Sequence, residues 1–152
     1  MIIEAGGTTR AIVQELLRRI AAGDPGRIAE LYAPEVDWKV NWPEAEHGRA
    51  ATPWIVHRRT RDDIAAHYRQ LAAHHDPEQV ATVIERILVD GPDAVVLGEI
   101  RQTALATDRP YRARFALHLT VDNGLVTRQH IYEDSLAVAR AFDDPPRPPG
   151  NT

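Results

Sequence analysis

The chain has 152 residues, of which 43% are hydrophobic and 26% are charged, a composition typical of one globular domain. Its net charge is −4, so we do not expect a nucleic-acid-binding surface, which requires a basic excess. The absence of cysteine excludes disulfides, zinc–thiolate sites and cysteine nucleophiles. No apolar run approaches the ~20 residues that cross a bilayer, and the first ten residues lack a signal-peptide core. We therefore expect a cytoplasmic protein that does not contact a membrane.

The first predicted element is a helix over residues 11–22. Thr8 or Thr9 is predicted to cap its start, and Gly23 to end it. Its apolar residues recur at helical spacing: Ile12, Leu16, Leu17 and Ile20. This spacing predicts one buried face.

Two further helices are predicted. The second begins at Asp24-Pro25 and is predicted to end at Pro34. Its apolar side is formed by Ile28, Leu31 and Tyr32. The third begins at a capping box made by Thr60 and Asp63. Its apolar face is formed by Ile64, Tyr68, Leu71 and Ala72.

A strand and a long loop separate the second and third helices. Apolar residues that alternate with polar ones mark the strand: Val36, Trp38 and Val40. Residues 42–59 form a loop that carries Trp42 and Trp54. Loops of this length within a compact domain often act as lids or pocket walls. We therefore expect this loop to cover an apolar surface.

The second half of the chain predicts a meander of strands. Four β-branched runs cover residues 79–89, 94–106, 110–121 and 125–133. Asn123-Gly124 is a strong hairpin signal between the last two, and a final helical turn is predicted near Val138. We expect one domain over residues 1–142 and a disordered, proline-rich tail over residues 143–152. The order predicts an α+β fold, with helices on the concave face of a curved, mainly antiparallel sheet around a conical hollow.

Short segments along the chain carry a resemblance to a known family. The first helix ends in Ala22-Gly23-Asp24, and Leu31-Tyr32-Ala33 leads into Glu35-Val36-Asp37-Trp38. Later come Thr107-Asp-Arg-Pro-Tyr111, Asp122-Asn-Gly-Leu-Val126 and His130-Ile-Tyr-Glu-Asp134. Together they resemble the SnoaL-like branch of the nuclear transport factor 2-like superfamily over about residues 9–142. The resemblance implies a cone-shaped fold around one apolar pocket, and a homodimer.

The resemblance does not select a reaction, because the superfamily includes ketosteroid isomerases, limonene-type epoxide hydrolases, polyketide cyclases and non-catalytic domains. Ketosteroid isomerases use an Asp base with a Tyr and a protonated Asp as the oxyanion hole. The positions of that Tyr and protonated Asp fall at Leu16 and Leu117. Epoxide hydrolases of this fold use an Asp-Arg-Asp set, and its last Asp falls at Ile131. The other two fall at Ile100 and Gln102 or, with a one-residue gap, at Glu99 and Arg101. Asn41 matches the Asn that helps to hold the attacking water.

Strand alternation predicts which side chains face the pocket. On residues 110–121 the inward set is Tyr111, Ala113, Phe115, Leu117 and Leu119, and the outward set is Arg112, Arg114, His118 and Thr120. On the last strand the resemblance directs Gln129, Ile131 and Glu133 inward and His130 and Tyr132 outward, unless a bulge exchanges the sets. A Glu133 carboxyl in an apolar cone would have a raised pKa and could serve as general acid or base. The alternative is a rim carboxylate paired with an arginine.

Other polar residues have a functional and a structural interpretation. His57, on the long loop, is either a proton carrier over the pocket or a solvated side chain. Glu99 and Arg101 form either a buried dyad or, as we expect, a cross-strand salt bridge with Arg112 or Arg114. The three histidines of the third helix region match no strong metal motif: His67, His74 and His75. We therefore predict no metal site.

The sequence favours an enzyme that acts on a small apolar, polyketide-like or terpenoid-like metabolite by proton transfer, without a cofactor. The reaction would be an isomerisation, cyclisation, dehydration or hydration. The catalytic candidates are Glu133, His57 and Asn41. The substrate-binding candidates are Trp38, Trp42, Trp54, Tyr68, Gln102, Phe115, Leu117, Gln129 and Ile131. The alternative is a non-catalytic ligand-binding or dimerisation module. The predicted dimer face carries Arg101, Arg114, His118 and Tyr132.

Overall fold

A curved five-stranded sheet with helices on its inner side forms the core of the computed structural model, which describes residues 5–40 and 58–143. The helices are α1 (Ala5–Ala22), α2 (Pro25–Ala29), α3 (Arg61–His74) and α4 (Ser135–Phe142), with a 3-10 turn at Pro77–Gln79. The strands are β1 (Tyr32–Val40), β2 (Val83–Asp90), β3 (Asp93–Ala104), β4 (Arg109–Asp122) and β5 (Leu125–Glu133). The predicted α+β class is confirmed. No helix in the described ranges has the length and apolarity needed to span a bilayer.

The sheet has the order β1-β5-β4-β3-β2. Strands β2 to β5 form an antiparallel meander, and β1 pairs with β5 in parallel. The predicted Asn123-Gly124 hairpin is confirmed, because both residues have positive φ, 51° and 76°. The last strand therefore lies between β1 and β4, where its inward side chains face the middle of the hollow.

Helices α1 to α3 pack on the inner face of the sheet through one apolar core, and α4 packs through a second cluster that includes Val138 and Phe142. Members of the first core with no solvent exposure include Val13, Leu16, Tyr32, Ile64, Val96, Leu119 and Val126. The alternation predicted for β4 is confirmed, since Phe115 and Leu117 are buried while Arg112 and Arg114 are exposed. The alternation for β5 is confirmed as well, and no bulge exchanges its inner and outer sets around Ile131.

The predicted cap of the first helix is wrong. Helix α1 begins at Ala5, so Thr8 and Thr9 lie within it. Thr9 is 2% exposed, and its hydroxyl donates a hydrogen bond of 2.7 Å to the carbonyl of Gly91. The threonine therefore attaches α1 to the β2–β3 turn instead of capping the helix.

The predicted end of the second helix is also wrong. Asp24 caps α2 as expected, but the helix ends at Ala29, and both Tyr32 and Pro34 belong to β1. The pairing of β1 with β5 is irregular between Tyr32 and Asp37. Proline, which has no N–H to donate, is tolerated where a ladder is interrupted. The capping box of Thr60 and Asp63 at the start of α3 is confirmed.

Candidate active site

A cavity of about 240 Å³ lies between the inner face of the sheet and helices α1 and α3. Most of its wall is apolar: Leu17, Ile20, Ala21, Val40, Leu71, Ile84, Ile100, Phe115, Leu117, Ile131 and Val138. The polar side chains that interrupt this wall come from α3, from β1, β3, β4 and β5, and from the residue before β2: Trp38, His67, Tyr68, Thr82, Gln102, Tyr111, Gln129 and Glu133. Among the described lining residues Glu133 is the sole carboxylate, and there is no lysine or arginine.

The structure brings together those predicted site residues that it describes. Trp38, Tyr68, Gln102, Phe115, Leu117, Gln129, Ile131 and Glu133 all line the cavity. Four other candidates lie outside the described residues: Asn41, Trp42, Trp54 and His57. Of the two registers left open for β3, the structure selects the one that turns Ile100 and Gln102 toward the cavity.

Glu99 and Arg101 lie on the opposite, outer face of β3. The Arg101 Nε atom is 2.7 Å from Glu99 Oε1, and this contact lowers the pKa of the Glu99 carboxyl. The expected cross-strand bridge to Arg112 or Arg114 is wrong, because Arg114 instead contacts Glu85 of β2 at 3.0 Å. Neither residue of the Glu99–Arg101 pair contributes to the cavity.

Glu133 is the last residue of β5, and its ladder partner is Phe115 of β4. Its side chain is partly buried in the cavity wall. Burial, with a smaller contribution from the charge of Asp134, raises the pKa of Glu133 from 4.5 to about 7. No described residue forms a hydrogen bond or an ion pair with its carboxyl group, so the alternative of an arginine-paired rim carboxylate is not observed. Near neutral pH both protonation states are populated, as an efficient general acid or base requires.

Tyr32, Tyr68 and Gln129 form a polar cluster, of which Tyr68 and Gln129 line the cavity and Tyr32 lies in the core behind them. The Tyr32 hydroxyl donates a hydrogen bond to Gln129 Oε1, and it lies 3.2 Å from the Tyr68 hydroxyl. Burial raises the pKa of Tyr32 and that of Tyr68, so both hydroxyls stay neutral. The cluster therefore offers uncharged hydrogen-bonding groups, a suitable environment for a neutral oxygen of a ligand.

His67 was not predicted as a cavity residue. It is 7% exposed, and its ring packs edge-on against Trp38 at 4.7 Å and Tyr68 at 4.9 Å between centroids. The Nε1 atom of Trp38 is buried and has no hydrogen-bond partner among the described residues. The helical spacing of Ile64, His67, Tyr68 and Leu71 was a signal that could have placed His67 on this face.

A second polar cluster contains Gln102, Tyr111 and His75. The Tyr111 hydroxyl is 3.0 Å from Gln102 Oε1 and 2.7 Å from His75 Nε2. The other ring nitrogen of His75, Nδ1, is 2.7 Å from the carbonyl oxygen of Leu71. Within the described ranges, no three His, Asp or Glu side chains are grouped as metal ligands. Tyr111 was predicted to face inward, but neither it nor His75 was predicted to be part of a site.

The model of the SnoaL-like domain family matches residues 13–129. The chain belongs to the SnoaL-like family. No curated protein sequence matches it. The expected superfamily is thus confirmed, and the resemblance inferred from the short segments of the sequence was correct.

Solved structures show the same fold at low sequence identity. An NTF2-like protein from Burkholderia xenovorans is 19% identical, with 93% of this chain and 100% of that chain covered and a TM-score of 0.73. A proposed isomerase from Rhodopseudomonas palustris is 18% identical, with 86% and 94% covered and a TM-score of 0.70. A protein of ketosteroid isomerase-like fold from Catenulispora acidiphila, in complex with trimethylamine, is 13% identical, with 88% and 93% covered and a TM-score of 0.70. At these identities, the similarity to the three structures supports the cone fold but no particular reaction.

In the SnoaL-like chain, three positions at which the resemblance places polar groups of catalytic relatives are apolar. Leu117 and Ile131 lie in the cavity wall, and Leu16 lies in the core with no exposure. The polar groups of this cavity therefore come from other positions, chiefly Glu133 and the two clusters.

Proposed function

We propose that this SnoaL-like protein is an enzyme that moves a proton on a small, uncharged, apolar metabolite, with Glu133 as the general acid and base. The observation that carries the proposal is the carboxyl group of Glu133, which lines an apolar cavity without a described partner and has a pKa of about 7. Perturbed acids in clefts are candidates for catalysis because burial holds them ready to exchange a proton. Proton transfer needs no group beyond such side chains.

The substrate class follows from the wall of the cavity. The described lining residues include no cationic side chain, so an anionic substrate would be buried without a counter-charge. The volume of about 240 Å³ lies below the ~300–1,000 Å³ of drug-sized ligand sites, which favours a compact molecule. A cyclic ketone or enone, of terpenoid or polyketide type, has this character. Trimethylamine in the Catenulispora protein supports the use of this fold for small ligands.

The reaction would begin when the Glu133 carboxylate removes a proton from carbon next to a carbonyl group. The Gln102 amide or the Tyr68 hydroxyl would hydrogen-bond the carbonyl oxygen, on which negative charge develops. Return of the proton to another carbon completes an isomerisation. Attack of the same carbanion on a second carbonyl gives a cyclisation, in which the new alkoxide takes the proton back from Glu133. Loss or addition of water at the neighbouring carbon uses the same proton transfer.

The experiment measures deuterium incorporation from D₂O into the α-positions of a panel of small cyclic ketones and enones by ¹H NMR. We expect the wild-type protein to accelerate exchange of at least one compound, and Glu133→Gln to lower that rate roughly 10²–10⁴-fold. Glu78→Gln, on the exposed 3-10 turn, is the matched control and should exchange at the wild-type rate. Wild-type rates in Glu133→Gln would show that the catalytic assignment is wrong.

A ligand-binding module without catalysis is the second candidate. The apolar Leu117 and Ile131, at positions where the resemblance places carboxylates of catalytic relatives, favour it. Thermal stabilisation by a panel ketone without any deuterium exchange would support this candidate and count against the enzyme.

We further propose a homodimer that forms through the outer face of the sheet, as the resemblance implies. A shallow groove on that face is lined by Leu88, Val95, Ala116, His118 and Tyr132. Leu88 is 48% exposed and Tyr132 is 50% exposed, so the groove presents two large side chains to solvent. A second copy of the chain would cover both.

A further inference from the structure

The contact between His75 and the carbonyl oxygen of Leu71 fixes where one proton of the His75 ring lies. His75 is 3% exposed and follows α3 directly. A carbonyl oxygen only accepts hydrogen bonds, so the His75 Nδ1 atom, 2.7 Å from the carbonyl oxygen of Leu71, must carry a proton. Burial, with a smaller effect of His74, lowers the pKa of His75, so the ring is neutral near pH 7. Its Nε2 atom is then an acceptor.

One hydroxyl proton therefore faces two acceptors. Tyr111 Oη lies 2.7 Å from His75 Nε2 and 3.0 Å from Gln102 Oε1. With a neutral ring, the shorter contact has the Tyr111 hydroxyl donating to His75. When Nε2 gains a proton it donates to Tyr111 instead, and the Tyr111 proton turns toward Gln102, which lines the cavity. The network thus has two arrangements. With a neutral His75 ring, Tyr111 donates to His75 Nε2; with Nε2 protonated, His75 donates to Tyr111 and Tyr111 donates to Gln102.

Glu133 is close enough to this network to interact with it. Its charge, added to the larger effect of burial, raises the pKa of Tyr111 above its ordinary value. Around the pair, α3 contributes His74, β5 contributes Glu133, β3 contributes the neutral Gln102 and α4 contributes the uncharged ring of Phe142, 5.4 Å from His75. Glu133 and Tyr111 line the same cavity, so one substrate can contact both.

We propose that Tyr111 is a second catalytic residue and that His75, a positioning residue behind it, completes a proton relay that acts opposite Glu133. This proposal rests on the proposed function. For an enol substrate, the enol O–H bond breaks as its proton passes to Tyr111 Oη, and the Tyr111 proton passes to His75 Nε2. The protonated Glu133 gives its proton to the substrate carbon, where a C–H bond forms. His75 then returns its proton to Tyr111, which gives one to the Glu133 carboxylate through solvent water that enters as the product leaves, and both groups are restored without a co-reactant.

The relay can be tested without a substrate. In ¹⁵N-histidine NMR of the whole protein, we expect His75 to carry its proton on Nδ1 and to have Nε2 as an acceptor. Glu133→Gln should leave this tautomer unchanged, because Glu133 is already largely protonated in the pH range below 6.5 in which His75 titrates. Tyr111→Phe should shift the Nε2 resonance, while His118 on the outer face should be unchanged in both variants. A proton on Nε2 of neutral His75, or an Nε2 resonance that is unchanged in Tyr111→Phe, would overturn the relay.

A kinetic test separates the relay from the proposed function. On a ketone that the wild-type protein exchanges, we expect Tyr111→Phe and His75→Gln to lower kcat roughly 10²-fold, with little change in KM. His75→Gln keeps a hydrogen-bonding side chain but cannot take up a proton, so one limb of the pH–rate profile should disappear. Wild-type rates and pH profiles in both variants would overturn the relay and leave Glu133 as the catalytic acid. Wild-type rates in Glu133→Gln would instead remove the proposed function.

Discussion

The Tyr32 hydroxyl donates a hydrogen bond to Gln129 Oε1, although the two residues are not partners in the β1–β5 ladder. Tyr32 is fully buried, and Gln129 is 5% exposed. The Tyr68 hydroxyl lies 3.2 Å from that of Tyr32 on the cavity side. The bond therefore holds the Gln129 amide and Tyr68 in place at one side of the cavity.

Removal of the Tyr32 hydroxyl should destabilise the fold. In Tyr32→Phe the ring still fills its place, but Gln129 Oε1 loses its donor. An unsatisfied buried polar group costs about 1–3 kcal/mol, so we expect a loss of this size in the free energy of unfolding measured with urea. Tyr132→Phe, which removes an exposed hydroxyl, should stay within about 0.5 kcal/mol of wild type. Equal stability of the two variants would contradict this role of Tyr32.

Much of the sheet could be predicted because alternation along a strand is a local signal. In β4 the apolar residues at every second position, from Tyr111 to Leu119, define the inner face without knowledge of any partner strand. Glu133, at the end of β5, was found from the resemblance, which directs Gln129, Ile131 and Glu133 inward.

The contacts that complete the site are long-range, and the sequence carries no signal for them. His75 meets Tyr111 because an isolated bridge joins His75 to Ala104 while Gln102 pairs with Tyr111. Tyr32 was predicted to be helical because Pro34 suggested a helix end two residues later. Its place in β1 depends on the pairing with β5, far along the chain.

The raised pKa of Glu133 should make stability depend on pH. Its pKa is about 7 in the folded protein, and 4.5 is the ordinary value expected in the unfolded chain. Between these values the unfolded chain loses its proton while the folded protein retains it, so the free energy of unfolding falls as the pH rises. At about 1.4 kcal/mol per pH unit, the loss approaches ~3 kcal/mol by pH 7 to 8.

Glu133→Gln isolates this contribution, because glutamine cannot ionise. We expect the variant to match wild type at pH 4 and to be more stable by up to about 3 kcal/mol at pH 8, as measured by urea unfolding at both pH values. The control Glu78→Gln should follow the wild-type curve. If wild type and Glu133→Gln have parallel pH profiles, the carboxyl group of Glu133 is not buried in solution as it is in the structure.

At Gly98, β3 lies close to the backbone of β2 and to the ring of Phe115. A Cβ atom at this position would lie 2.3 Å from the carbonyl oxygen of Val83 and 2.9 Å from ring atoms of Phe115. Gly98→Ala must therefore displace the β2 backbone and a side chain of the cavity wall, and we expect a loss of about 1–3 kcal/mol in urea unfolding. Gly26→Ala is the control, since its nearest atom is 3.5 Å away, and it should leave stability unchanged or raise it by up to about 1 kcal/mol. A Gly98→Ala protein as stable as wild type would show that this strand pair is looser than described.

The outer groove should mediate the association of two chains if the proposed homodimer exists. Burial of Leu88 and Tyr132 between copies would remove apolar surface from water, and a charge at either position would remain in the interface without a partner. We expect sedimentation velocity to give a mass about twice the 17.0 kDa of one chain for wild type. Tyr132→Glu and Leu88→Glu should sediment as single chains. Leu136→Glu changes a side chain that is 58% exposed on α4, away from the groove, and should remain dimeric. A wild-type protein that sediments as one chain at high micromolar concentration would overturn the dimer, whereas dissociation by Leu136→Glu alone would move the interface to α4.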